Sequence, residues 1–402
     1  ETNAKDSEDA AKLSETNAAN SLDEFTDLYL GAKASDPLVD NDGDPLQVGA
    51  LYLNTTDNAM KVYNGTAWVL AYASIVGGVV SSSYFDKSNS LSGSKTNLVI
   101  PDLYAKVGAE LITILGETID INTVGYWDDI SFATPANRAG KDFYIYGREA
   151  GGYVLSNNST YPLGYTAANT RKLGGFHCLC VDVGTISGHA LSGYVVGDIL
   201  PRSCWDLKHK PRSEPEGMVQ NWDGVWVDIY LPSLGAGGKL VSKYNVTIAD
   251  GGNGWHTYKF EQNFGVIAKR SISQVEFVVA SLGSNQSTNI LGSVDPVTTG
   301  GHKDTANIRM ISDIGCEDMC GALWQWSRDA GGVQTAAAWA NAYDANDIGV
   351  GGQHYQAPAR AILGGSWDYT ATCGSRASLW FSDPLNLSAY ISGRGSAEPV
   401  DL

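Results

Sequence analysis

No run of eighteen or more apolar residues occurs in this 402-residue chain, so no membrane-spanning helix is expected. Charge is sparse as well: only 18% of residues are charged, and acidic residues outnumber basic ones by 44 to 27. The net charge of −17 repels phosphate backbones and anionic lipid, so neither nucleic-acid binding nor membrane insertion is expected. The opening ETNAKDSEDA is acidic and polar, unlike a secretory signal. Six cysteines in a chain of this length make no disulfide framework, and reduced, buried thiols are the expectation.

Catalytic signatures are missing too. There is no G-x-x-x-x-G-K-[ST] loop, no G-x-S-x-G elbow, no H-E-x-x-H and no G-x-G-x-x-G. His177, His189, His209, His256, His302 and His354 form no i, i+4 pair. Cys178 and Cys180 in a C-x-C strand share one face, but no second pair follows at ligand spacing; Cys316 and Cys320 have no histidine close in sequence. No metal and no cofactor is expected.

What is present is glycine and aromatics: 46 Gly, 20 Tyr and 11 Trp point to a β-rich, loop-rich chain, long enough for several folded units. Residues 1–21 fall into three sevens, ETNAKDS, EDAAKLS and ETNAANS. Ala4, Ala11 and Ala18 alternate with Ser7, Ser14 and Ser21 at the three-and-four spacing of a coiled-coil seam. Small residues bury little, so a stalk over 1–24 would need reinforcement downstream; an acidic linker is the alternative. The heptads open in mid-pattern, and a longer fibrous protein is the expectation.

Residues 25–74 read as a small β unit. Ala50–Leu53, Met60–Tyr63 and Thr66–Leu70 are strand candidates, with a turn at Asn64-Gly65. Asp40-Asn41-Asp42-Gly43-Asp44 lacks the glycine and glutamate spacing of an EF-hand, which favours a solvated turn. So small a unit has little core of its own. Residues 75–150 alternate β-branched runs (Asn97–Ile100, Glu110–Leu115, Thr118–Ile121, Phe143–Tyr146) with turns, which predicts a sandwich or prism connector. From 151 to 402 short strands dominate, ISQVEFVVASLGSN among them, with helices expected at Ser242–Ile248 and Asn263–Ser271; this pattern fits one α+β domain with long loops. Trp339, Tyr343 and Tyr355 lie in a loop-like stretch, 331–358, that reads as an insert.

Three resemblances add to this reading. SETNAANS followed by YLGAKASDP, DNDGD and GALYLNTTDNAMKVYNGTAWV resembles tail-fibre shaft segments of tailed bacteriophages, over roughly residues 1–75; that implies a homotrimer. Phe277-Val278-Val279-Ala280, GCEDMCGALWQWSRD and ARAILGGSW resemble the formylglycine-generating-enzyme branch of the C-type lectin fold. Trp324 and Trp326, two apart, are expected to seal a core beneath the loops. Catalytic members of that branch carry two cysteines after the Gly-Gly-Ser-aromatic segment. Here Tyr369 stands at the first place and Cys373 is alone near the second, so catalysis is not expected.

Finally, the order of Gly364, Gly365, Trp367, Gly374, Ser375, Arg376, Ala377, Trp380, Pro384, Ile391, Gly393, Arg394 and Gly395 is similar to the variable region of phage receptor-binding proteins diversified by retroelements. With GGFHCLC, DILPRSCWDL, PEGM and TTGGHKDTA, this resemblance covers most of 160–402. It implies a held framework and varied, ligand-contacting positions between: Ser366, Asp368, Tyr369, Thr372, Leu379, Phe381, Leu385, Asn386 and Tyr390, with Leu387 adjacent. Ser392 departs from the alanine usual before Gly-Arg-Gly. If Trp380 points inward, Leu379 and Phe381 point outward. Arg376 and Arg394 are expected to anchor backbone with their forked donors. Core packing of these aromatics is the alternative to display. The calcium-binding triplets of lectins are missing; only Glu214-Pro215-Glu216 and Glu398-Pro399-Val400 come near.

The whole is expected to be a multidomain, β-rich, trimeric phage tail-fibre protein: a coiled-coil stalk, β connectors and a C-type lectin-like tip. It would sit in the virion after synthesis in the host cytoplasm, gripping a host-surface receptor (protein or glycan) and joining other tail proteins through its N-terminal side. An oxidase of the formylglycine-generating type and a purely structural fibre segment are the rivals.

Overall fold

The computed structural model describes residues 2–71, 94–333, 338–344, 347 and 350–400. The chain divides into two units, Glu1–Ser81 and Ser82–Leu402. In the first, Thr2–Leu28 form one helix, α1. Its seam residues from Ser7 to Ser21 are exposed, and the heptad register runs on into Phe25 and Leu28, which are exposed too. A four-stranded sheet comes next, in the order β1 (Tyr29–Lys33), β2 (Leu51–Asn54), β3 (Ala59–Tyr63) and β4 (Trp68–Leu70). Tyr52 is fully buried against the edge of Trp68, 4.7 Å between ring centres. The Asn64 side chain accepts the backbone N–H of Thr66 and Ala67, closing the expected turn between Tyr63 and Trp68. Asp40 likewise accepts from Asp42 and Asp44, so DNDGD is a self-closed turn.

The second unit starts, within the described residues, with two antiparallel pairs: β5 (Asn97–Ile100) with β8 (Glu117–Asp120), and β6 (Leu103–Val107) with β7 (Glu110–Ile114). Alternate residues of β6 are buried, as its apolar period of two requires. The boundary expected at 150/151 falls inside a sheet instead. Strand β9 (Asp142–Arg148) pairs with β10 (Tyr153–Ser156) on one side and β11 (Thr170–His177) on the other, and β12 (Trp205–Asp206) completes the order β10-β9-β11-β12. One apolar cluster runs from Leu98 through Trp127, Phe132 and Phe143 to Cys204. Buried Arg138 ties it together, donating to the carbonyls of Ile121, Phe132, Ala133 and Gly197. The expected connector therefore shares its core with strands β10 and β11, and the part of it at 72–93 lies outside the described residues.

The remainder is built on two further four-stranded sheets and a small pair. Strands β13 (Met218–Gln220), β14 (Trp226–Asp228) and β17 (Arg270–Ser271) join β24 (Gly395–Ala397), and β15 (Pro232–Leu234) pairs with β16 (Leu240–Ser242). The long strand β18 (Trp324–Val333) lies between β21 (Pro358–Leu363) and β23 (Ile391–Ser392), with β22 (Ser378–Ser382) on the outer edge. Within the expected insert, β19 (Trp339–Asn341) and β20 (Gln353–Tyr355) form a short hairpin.

Two helices stand elsewhere than expected. Helix α2 covers Thr257–Gly265, capped by His256, and α3 covers Gln274–Ala280. Ser242–Ile248 is the end of a strand and a loop, not a helix. The apolar run QVEFVVA looks like a strand, but Ser273 and Glu276 form a reciprocal capping box that starts a helix, and Phe277 and Ala280 face the core. All six cysteines are free and buried.

Candidate functional site

Residues 364–395 form one continuous surface segment pinned from beneath. Gly364 and Gly365 have φ of +92° and +88°, a region that favours glycine. A Cβ on Gly365 would lie 2.5 Å from the Cys373 sulfur, and one on Gly364 would collide with the Met319 carbonyl. This tight turn starts the loop 366–377. Trp367 N–H donates to the Ala322 carbonyl at 2.8 Å, Gly374 N–H to Gly364 at 3.1 Å, and Ser287 N–H to Cys373 at 2.8 Å. Ser375 N–H donates to Gln286 Oε1 at 3.1 Å. The loop is thus fixed by its backbone, which leaves side chains free to face outward.

The expected contact residues divide in three. Asp368, Tyr369, Thr372, Leu379, Phe381, Leu387 and Tyr390 are exposed, with Phe381 at 63%. Leu385 and Asn386 are half-buried, in a turn closed by Asp383 and by Asn386 Oδ1 accepting Ser388 N–H at 3.0 Å. Ser366 is fully buried, and its hydroxyl donates to Asp368 Oδ1 at 2.6 Å. Ser366 therefore orients a displayed carboxylate and is not itself displayed.

The framework residues divide too. Trp324 and Trp326 are buried in one cluster with Phe260 and Phe264. Trp367 stacks on Tyr390, and Tyr369 meets Trp324 edge-on at 5.4 Å. Pro384 is buried, and its carbonyl accepts the Thr257 N–H at the start of α2. Trp380 is a correction: it is 38% exposed, as its neighbours Leu379 and Phe381 are. Strand β22 is an edge strand whose pairing with β21 shifts register between Arg360 and Ile362, and this irregularity breaks the in-out alternation. Arg376 is another: it is exposed, and among the described residues it donates to no backbone carbonyl.

Arg394 is the anchor that the pattern implied. Fully buried, it donates to Gln325 Oε1 at 2.6 Å and to the carbonyls of Asp228, Ile229 and Glu317 at 2.6, 3.0 and 2.7 Å. Ser392, the departure from alanine, is accommodated because its hydroxyl donates to the Ala249 carbonyl.

Below the segment lies a polar network that sequence reasoning missed. Arg309 and Glu317 form a buried ion pair at 2.6 Å, and His302 Nδ1 is 2.9 Å from Asp318. Asp318 also accepts Gly300 N–H, and Glu317 accepts Gly301 N–H. Only the runs GGHKD and CED marked His302, Glu317 and Asp318 in the sequence, and nothing marked Arg309. Burial alone would lower the His302 pKa; the Asp318 carboxylate outweighs it and holds the imidazole above its ordinary 6.5.

The Cys373 thiol faces the carbonyls of Ser366 and Tyr369 inside the loop. Burial, aided by Asp368, pushes it up to about 12, so little thiolate forms at neutral pH. In the first unit, Asp23, Asp27 and Asp42 bring carboxylate oxygens within 4.8 Å of one another. The charge of Asp23 raises the Asp42 pKa, as crowding of like charges does.

Comparison with known proteins places this architecture. Residues 104–206 match the family model of the Mtd second domain. The tail fiber receptor-binding protein of Bordetella phage BPP-1 is 33% identical over 313 residues, covering 71% of this chain and 79% of that protein. Among solved structures, the Major Tropism Determinant U1 variant superposes with a TM-score of 0.66 at 28% identity, over 89% of this chain and 96% of its own. The M1 variant gives 0.65 at 27%, over 92% and 99%.

Proposed function

Since the chain belongs to the family of the tail fiber receptor-binding protein of Bordetella phage BPP-1, we propose that it attaches a phage to its host through the surface of residues 366–390. It is a phage receptor-binding adhesin with a β-rich, C-type lectin-like fold. The observation that carries the site is the contrast within one segment: large side chains stand exposed on backbone that is pinned by hydrogen bonds at intervals along its length. Tyr369, Leu379, Trp380, Phe381, Leu387 and Tyr390 offer apolar area to solvent, while Arg394, Pro384 and the Gly-Gly turn hold their mounting rigid. Rigid aromatics interspersed with short polar residues lose little entropy on binding, as in paratopes. Adhesion needs no covalent step, and the protonated Cys373 fits that.

The stalk reading rests on α1. Its seam of Ala and Ser ends in Phe25 and Leu28 at the next two positions of the same register, and from Ser7 onward these seam residues are exposed among the described residues. Three copies would bury that seam, place three tips side by side and make weak single contacts additive. The virion tail is where such a fibre would act.

The test is saturable binding of the labelled, purified chain to host cells. Replacing Tyr369 and Phe381 together with Ala is expected to weaken binding by about a hundredfold, as loss of central aromatic anchors does. Unchanged binding would remove the assignment of the face.

A further inference from the structure

The excursion between β18 and β21 carries the most exposed aromatic side chain of those described. Trp339 is 68% exposed and Tyr355 is 50% exposed. They are direct partners across β19 and β20, with rings 5.6 Å apart at 64°. A two-stranded hairpin alone is marginal in water. This one is fastened by a buried pair at its far end. Asp347 Oδ2 lies 2.9 Å from His256 Nε2, and the two side chains are only 6% and 1% exposed. His256 Nδ1 accepts the Lys259 N–H as the cap of α2, so the ring proton resides on Nε2 and is directed at the carboxylate. The same carboxylate oxygen accepts the Asp344 N–H at 2.9 Å.

The mounting is shared with the surface described above. Thr257, next to His256, donates to the Pro384 carbonyl, three residues beyond Phe381. Arg360 of β21 pairs with Glu261 of α2 at 3.3 Å. Gly331, two residues before β18 ends, lies directly against the Trp380 carbonyl. Ser382 pairs with Arg360 and Ser378 with Leu363, so Phe381 is at the end of the sheet from which the hairpin leaves. A solvent-facing Trp-Tyr pair held by a buried hydrogen-bonded anchor is preorganised, which is what a contact element requires.

We propose that the Trp339–Tyr355 pair is a second contact element of the adhesive face, engaging the same receptor, a polypeptide surface bearing apolar side chains. This rests on the reading that 366–390 binds the receptor. Continuity with that segment and the chemistry of both point to this occupant. Leu379, Leu387 and Phe381 offer aliphatic and aromatic area suited to apolar side chains, while Asp344, Asp368 and Asp383, on a chain of net charge −17, disfavour anionic polysaccharide. The hairpin lies outside residues 366–390 and would add its own share to the grip of that segment.

The experiment measures saturable binding of four full-length chains to host cells: wild type, Trp339→Ala/Tyr355→Ala, Trp339→Phe/Tyr355→Phe, and Tyr369→Ala/Phe381→Ala. Each is matched by a melting curve and a sedimentation mass. The alanine hairpin variant is expected to bind about tenfold or more weaker with unchanged mass, and the phenylalanine variant to recover most of the loss. Binding by wild type is expected to vanish on protease-stripped cells. If the alanine hairpin variant binds like wild type while Tyr369→Ala/Phe381→Ala fails, the hairpin proposal falls and the site reading stands. If both bind like wild type, the site reading falls and takes the proposal with it. A changed mass would make the pair a contact between copies of this chain, and retained binding to stripped cells would make the occupant a glycan; either overturns the proposal.

Discussion

The indole of Trp367 lies parallel to the ring of Tyr390, centroids 4.9 Å apart and planes at 27°, so the two ends of the display segment stack on each other. Tyr390 is thereby both support and contact: one face packs on Trp367, and 38% of the residue stays open to solvent. A stacked pair contributes about 0.5–1.5 kcal/mol beyond the area it buries. Tyr390→Ala is therefore expected to lower stability by about 1–2 kcal/mol and to weaken cell binding as well. Tyr390→Phe, which keeps the stack, should leave the urea midpoint unchanged.

Trp380 separates two readings of strand β22. A core tryptophan cut to alanine costs about 3–5 kcal/mol. At 38% exposure, with its Nε1–H donating to Ser378 Oγ beside it, Trp380 supports little of the fold. Trp380→Ala is expected to shift stability by less than about 1 kcal/mol while weakening cell binding about tenfold. A collapse in melting temperature with binding intact would restore the inward orientation.

The sequence carries part of the mounting and loses the rest, and the reasons are physical. The Gly-Gly turn, Pro384 and Arg394 are legible because few residue types can adopt those dihedrals or satisfy so many carbonyls at once. Trp380 misleads because period-two logic assumes a regular strand, and the register shift opposite Ile362 suspends it. Helix α3 misleads because β-branched valines suggest a strand, whereas the capping box at Ser273 and Glu276 decides the start. The unbroken core across 150/151 is illegible, since the gathering of Leu98 and Ile100 into one cluster with Phe176 and Cys204 leaves no local pattern.

Arg394 holds three separate carbonyls and Gln325 from a position with no solvent access. Its removal would take the guanidinium from four interior acceptors, of which the Ile229 carbonyl keeps the Glu317 N–H; each acceptor left unpaired costs about 1–3 kcal/mol before relaxation. Arg394→Met is expected to lose at least about 3 kcal/mol of stability, and Arg394→Lys to recover only part, because a lysine ammonium cannot reproduce the planar fork. Chemical denaturation of the three proteins, with the unfolding slope compared, measures both. A methionine variant as stable as wild type would mean that the hub is not what fixes the segment.

The pair His302–Asp318 makes stability depend on pH with a definite sign. In the folded chain Asp318 holds the imidazole above 6.5, and the imidazolium helps hold the fully buried carboxylate below its ordinary 3.8. Below about pH 6.5 the histidine is protonated folded and unfolded alike, so its stabilisation is complete there; it is lost as pH rises through the raised folded value. The Asp318 contribution runs the other way, present above about pH 3.8 and lost as pH falls through the lowered value. The pair thus stabilises most between about pH 4 and 6.5. The difference in melting temperature between wild type and His302→Asn is expected to be largest in that window and to shrink steadily toward pH 9. Because Asp318 also accepts the Gly300 N–H and its backbone carbonyl accepts from Gln325, which in turn receives Arg394, loosening this pair should reach the display segment. Cell binding by His302→Asn at pH 5.5 is accordingly expected to fall with its stability, and a melting difference independent of pH would show that the imidazole is neutral throughout.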